Sequence, residues 1–188
     1  MTVEEEKRKL RAEIRHLVYR LMSVERHDSD RAITCNVLAS EAYQNASCVF
    51  AYYGVRNEID TRPLLFRILT DGKRLLLPRV KRDRYMEAVE IRSLAELEED
   101  FYGIMSPPPS APAVNKEEIP LILVPCLAAT REGFRLGQGG GYYDSYLSDY
   151  KGTSLLLVRE RFVLPTIPLE PHDVPCTGLI TEQGEYRS

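Results

Sequence analysis

The chain has 188 residues, 44% of them hydrophobic and 28% charged, the size and make-up of one ordinary globular domain over residues 1–188. Lys plus Arg is 25 against 28 Asp plus Glu, a net charge of −3, which argues against a general nucleic-acid binder. The opening MTVEEEKRKLRAEIRH lacks an apolar signal core, and no apolar run approaches the ~20 residues of a membrane span; a cytoplasmic protein is expected, with no membrane, nucleic acid or obligate protein partner signalled.

Leu10, Ile14, Leu17, Val18 and Leu21 recur at helical steps and predict a helix over residues 4–22. Lys7 and Arg11, four apart, share one of its faces beside the apolar stripe. A second helix is predicted over 29–43, with Ile33, Val37 and Leu38 inward. A strand follows over 48–54, then a helix over 61–72 with Thr61 as its cap, Pro63 in its first turn and Gly72 at its end. Strands are predicted over 74–80 and 88–93. The prolines of SPPPSAPAV make 101–119 an extended surface loop. LILVP (121–125) reads as a buried strand running into RLGQGGGYYD (135–144), then a helix over 141–150 and strands over 154–159 and 178–182. Near-continuous apolar strands alternating with helices predict a three-layer α/β fold: a mostly parallel sheet with helices on both faces, Rossmann-like and similar to sugar-phosphate isomerase folds.

Cys35, Cys48, Cys126 and Cys176 form no CxxC pair, and with three histidines they read as free, mostly buried thiols rather than a zinc site. The glycine run carries the chemistry. Glycines let the backbone approach phosphate oxygens, a helix start offers unpaired N–H groups, and Arg135 adds a cation. In open α/β sheets ligands bind beyond the carboxyl ends of the strands. Neither the GxxxxGK[ST] loop nor the GxGxxG fingerprint is present, since Tyr142 stands where the third glycine of the latter belongs. A tight strand-to-helix turn without ligand is the plain alternative.

RLGQGGGYYD resembles the signature RLG-x-G-x-GYYD of the 5-formyltetrahydrofolate cyclo-ligases, also called methenyltetrahydrofolate synthetases, at every fixed position. KRKLR (7–11), EIDT (58–61), LPRV (77–80) and PHD (171–173) before LITE (179–182) resemble further family segments in the family's order, across nearly the whole chain.

The resemblance implies conversion of 5-formyltetrahydrofolate to 5,10-methenyltetrahydrofolate with ATP and magnesium. The formyl oxygen is phosphorylated, N10 closes the ring, and phosphate leaves. It implies ATP contacts for Lys7, Arg11, Arg135, Gly137, Gln138, Gly139, Gly140, Gly141, Tyr142 and Tyr143, with Arg135 as the catalytic cation. Tyr53, Glu58, Tyr142 and Tyr143 would contact folate, Glu58 by accepting two N–H bonds from the pterin edge. Asp144 and Asp173 would hold magnesium, which prefers one or two carboxylates plus waters and phosphate oxygens. Gly140 departs from relatives that carry lysine there, and Ala128, Ala129 and Ser145 depart from common family residues. Two other classes stay open: a sugar-phosphate isomerase-like enzyme indifferent to ATP, and a non-catalytic nucleotide or folate binder.

Overall fold

The computed structural model describes residues 2–188. The first helix, α1 (Val3–Tyr19), starts on a reciprocal cap: the Thr2 hydroxyl accepts from Glu5 N at 3.2 Å, and the Glu5 carboxylate accepts from Thr2 N at 2.8 Å, a pairing worth about 1 kcal/mol. α2 (Ser23–Ala39) begins six residues before the predicted start. Its first turn is polar, and its entry is closed by Glu25 accepting from Met22 N at 3.0 Å, a cap that periodicity does not reveal. It also stops early. Ser40 turns out of helical geometry (ψ 143°), donates to Val37 O, and its hydroxyl caps a separate short helix, α3 (Glu41–Asn45).

β1 (Cys48–Phe50) is shorter than predicted because the chain leaves the sheet at Ala51. α4 (Arg62–Thr70) has Thr61 at its cap position, but the Thr61 hydroxyl is spent on Tyr52 O and Gly54 N. Asp60 takes the capping role instead, accepting from Arg62 N at 3.1 Å. β2 (Arg74–Val80) matches its prediction, and β3 (Met86–Ile91) starts two residues early. The proline segment is less free than expected. β4 (Glu98–Glu99) pairs with β5 (Met105–Ser106), and Arg79 donates to the carbonyls of Pro108 and Ala111, both at 2.7 Å.

β6 (Leu121–Pro125) does not run directly into the glycine loop. A hairpin of β7 (Ala128–Ala129) and β8 (Arg135–Leu136) intervenes. α5 (Tyr142–Leu147) is three residues shorter than predicted at its end. β9 (Thr153–Leu157) and β10 (Gly178–Thr181) follow, and β11 (Gly184–Arg187) is a strand the sequence did not signal.

Seven strands form one sheet in the order β11-β10-β9-β6-β1-β2-β3, parallel except for the hairpins at its two edges. The central strands alternate strictly. Phe50, Leu76, Ile122, Val124 and Leu156 pack with Ile14 and Val18 of α1 and Tyr146 and Leu147 of α5. Val49, Leu75, Leu121, Leu123 and Leu155 pack with Ile33, Val37, Tyr43, Leu64 and Ile68 of α2, α3 and α4. Each fully buried aliphatic side chain contributes about 1.5–3 kcal/mol, so both faces of the sheet demand a helical layer. The predicted three-layer α/β architecture is the one observed. Cys48, Cys126 and Cys176 are buried free thiols, while Cys35 is exposed. Among the described residues, no helix is long and apolar enough to cross a membrane.

Candidate active site at the switch point of the sheet

From β1 the chain proceeds to β2 on one side; from β6 it proceeds to β9 and β10 on the other. The direction of winding therefore reverses between β1 and β6, where α/β sheets open a crevice. A cavity of about 760 Å³ lies there, lined by Tyr52 and Tyr53 after β1, by Pro125 and Cys126 at the end of β6, and by the whole glycine loop. Ligand pockets span roughly 300–1,000 Å³. Every residue the sequence assigned to a site lines this one cavity, from Lys7 in α1 to Asp173 near the carboxyl end.

One end of the cavity is ionic. The Lys7 ammonium is 2.6 Å from Asp173 and 2.8 Å from Glu170, with 6% of its side chain exposed and 9% of Asp173's. Burial opposes the Lys7 charge, but its hydrogen bonds to Asp173 and Glu170 prevail and hold the amine above its usual range. Burial likewise opposes the Asp173 charge; the Lys7 bond and the Glu170 N–H, which donates at 2.7 Å, hold that carboxyl below the usual range. Arg135 is buried as well. It pairs with Asp144 at 2.8 Å and donates to Val174 O at 3.0 Å, while Val174 N donates to Asp144 at 3.1 Å. The β8 strand thus aims Arg135 at the segment 170–174, and α5 brings Asp144 to meet it.

Two guanidinium groups lie against the glycine loop. Gly139 has φ +102° and Gly141 φ +71°, conformations that L side chains resist. A methyl group on Gly139 would lie 3.4 Å from the Arg11 guanidinium; one on Gly141 would lie 3.2 Å from Arg84 Cδ. Arg11 also donates to Gly137 O at 3.0 Å and pairs with Glu4, and Arg15 donates to Gln138 at 2.7 Å. At Gly140 a methyl group would meet the Tyr142 ring at 2.8 Å. Any side chain there would have to displace that ring. α5 has only six residues, so the positive character of this region comes from the loop amides and guanidiniums more than from a helix dipole.

The other end is phenolic. Tyr52 is buried and the Tyr143 hydroxyl is enclosed, and neither hydroxyl has a hydrogen-bond partner among the described residues. Burial, with the neighbouring Glu58 charge, pushes both phenols far up. Glu58 stands on a tight turn: Glu58 N donates to Val55 O at 3.0 Å, and its carboxylate accepts from Val55 N at 3.1 Å. Its second oxygen meets Gln138 at 3.4 Å. Burial raises its pKa, with these two bonds opposing. Asp30, ion-paired with buried Arg159, accepts from Asp60 N and steadies the same loop. Tyr142 reaches across the mouth to Lys81 O and the Tyr102 hydroxyl, both at 3.3 Å.

Asp144 and Asp173 each keep one carboxylate oxygen open. Every hydrogen bond to Asp144 falls on Oδ1 and every one to Asp173 on Oδ2; among the described residues the second oxygen of each has none. Glu170, His172 and Asp173 place ligand atoms within 4.8 Å of one another. The sequence reading missed Glu170 and Tyr102, and in it Arg84 is only one of four loop cations, with Arg79, Lys81 and Arg82, that could attract an anionic tail. Only the E-x-x-D spacing of Glu170 and Asp173 could have signalled the first; the other two arrive on hairpin tips that no motif marks.

An α/β sheet with a glycine-rich, cation- and tyrosine-lined cavity at its switch point defines a protein built to take a small molecule. The chain belongs to the 5-formyltetrahydrofolate cyclo-ligase family, whose model matches residues 3–182. It is 28% identical over 197 residues to the 5-formyltetrahydrofolate cyclo-ligase of Mus musculus, covering 98% of this chain and 97% of that one. It is 36% identical over 140 residues to that of Mycolicibacterium smegmatis, covering 71% and 72%. The solved structure of Aquifex aeolicus 5,10-methenyltetrahydrofolate synthetase superposes with a TM-score of 0.85 at 30% identity, covering 96% of this chain and 92% of that one.

Proposed function

We propose that this cavity converts 5-formyltetrahydrofolate to 5,10-methenyltetrahydrofolate at the expense of ATP, with magnesium, in the cytoplasm. The observation that carries the reading is the convergence of the ionic end, the glycine loop and the phenolic end on one 760 Å³ cavity, from segments as far apart as residues 7 and 173.

Glu58 accepts the pterin's N–H edge, and its raised pKa marks a carboxylate held ready for donors it lacks in the free protein. Tyr53, Tyr142 and Tyr143 supply aromatic faces to the rings. Lys7, Arg11 and the loop amides hold the phosphate chain, and Arg135, fixed by Asp144 and Val174, presents its charge to the transferring group without reorganisation. Magnesium, held by Asp144 and Asp173, would neutralise phosphate charge. The phosphorylated formyl group is then open to N10 of the same substrate, and the cavity's work is positioning.

The test is turnover of purified protein with 5-formyltetrahydrofolate, ATP and magnesium, followed in the near-ultraviolet band of the methenyl product. Growth of the band that stops when ATP or magnesium is withheld supports the reading. A band that grows without ATP, or never grows, sinks it.

A further inference from the structure

The turn between β2 and β3 is strained where it need not be. Tyr85 N donates to Arg82 O at 3.2 Å, and both central residues, Asp83 and Arg84, have φ +60°. This is the geometry of a type I′ turn, whose second central position is ordinarily glycine because left-handed backbone strains a side chain. Here that position holds arginine. Backbone strain retained at a pocket points to a side chain that the pocket uses.

The Arg84 side chain lines the cavity and lies along the open side of Gly141. A methyl group on that glycine would meet Arg84 Cδ at 3.2 Å, Nε at 3.4 Å and Nη1 at 3.5 Å. Three neighbouring cations are occupied: Lys7 by Asp173 and Glu170, Arg135 by Asp144, Arg11 by Glu4 and Gly137 O. On the same hairpin, Arg79 and Lys81 pair with Glu87. Among the described residues Arg84 has no ion-pair or hydrogen-bond partner. It is an exposed, unspent guanidinium against Gly141 of the glycine loop, as the Arg11 guanidinium is against Gly139.

We propose, resting on the functional reading above, that Arg84 is a phosphate-contacting residue: an anion seated on the Gly139–Gly141 backbone is gripped from the hairpin side by its fork. The absence of a side chain at Gly141 is what admits it. A guanidinium binds phosphate oxygens through paired N–H donors, which a lysine cannot reproduce.

Calorimetric binding of ATP to the intact chain, without folate, tests this, with 5-formyltetrahydrofolate titrated separately and Tm recorded. Arg84→Gly removes the fork and the strain together. The expected result is an ATP Kd raised about tenfold, folate affinity within about twofold of wild type, and a Tm unchanged or raised by roughly 2–4 °C. Arg84→Lys is expected to fall between the two. ATP binding equal to wild type overturns the proposal. Lost folate affinity with ATP retained overturns it too, assigning Arg84 to the substrate's carboxylate tail. So does a lower Tm accompanying weaker ATP binding, which would make Arg84 a prop of the turn. A wild-type chain that binds no ATP sinks the functional reading as well, which separates the two failures.

Discussion

The two ends of the cavity solve opposite problems. At the ionic end every buried charge has a partner within the chain: Lys7 with Asp173 and Glu170, Arg135 with Asp144. At the phenolic end the hydroxyls of Tyr52 and Tyr143 have none among the described residues, and Glu58 is held by two bonds, one of them 3.4 Å long. The ionic end is assembled before any ligand arrives. The phenolic end carries polar groups that the protein itself leaves unpartnered and that a ligand can satisfy, each costing about 1–3 kcal/mol while unsatisfied. Substitutions at the first should damage the fold along with the function. Substitutions at the second should spare or improve the fold while weakening binding.

The sharpest break in that contrast would come from Lys7→Met. It strands Asp173 and Glu170 together, and removing one partner of a buried pair costs about 3–5 kcal/mol. The sign with pH follows from both shifts. Asp173 is held low, so its contribution exists above the unfolded carboxyl's pKa of about 3.9 and fades as pH falls through its lower folded value. Lys7 is held high, so its contribution exists below about pH 10.4 and fades as pH rises through its higher folded value. Denaturant titrations from pH 3 to 9 should show the full deficit at neutrality, shrinking below about pH 4. A variant as stable as wild type at pH 7 would deny that the ionic end supports the fold.

Arg135→Ala is expected to lower kcat about 100–1,000-fold while the chain still folds, with some loss of stability from the stranded Asp144. Steady-state kinetics on the folded variant decide it, and unchanged turnover removes Arg135 from the chemistry. Glu58→Gln belongs to the other end. The raised pKa means that the carboxyl favours folding below the unfolded value of about 4.3 and that this advantage is lost as pH rises through the folded value. The amide should therefore raise Tm at pH 7 while raising the folate KM about tenfold. The smallest effect is expected of Tyr143→Phe, which discards an unpartnered hydroxyl: stability within about 1 kcal/mol of wild type or slightly higher, and weaker folate binding by calorimetry. A stability loss there would mean that the hydroxyl is already satisfied.

The parts that were legible in sequence are those with a repeating physical demand. The uninterrupted apolar runs at Val49–Phe50, Leu75–Leu77 and Leu121–Val124 announce a sheet buried on both faces. The glycine run announces a backbone that something must approach. The hairpin of β7 and β8 escaped because two-residue strands have no period, and the start of α2 escaped because a methionine backbone capped by Glu25 looks like no start signal. In the sequence Arg84 is one of four cations within residues 79–84. Only its φ and its place over Gly141 separate it from Arg79, which is tied to Glu87 and the proline-loop carbonyls.

The Lys7–Asp173 bond joins residues 166 positions apart, and that separation has a meaning in time. At about 5–20 residues per second, a ribosome delivers Asp173 roughly ten to thirty seconds after Lys7. Throughout that interval α1 carries a cation without its counterion and, in Ile14 and Val18, an apolar stripe whose full burial waits on later strands. The carboxylates that pair with Lys7 are thus made long after it, and a chain that stopped before Glu170 would leave the ammonium without either of them.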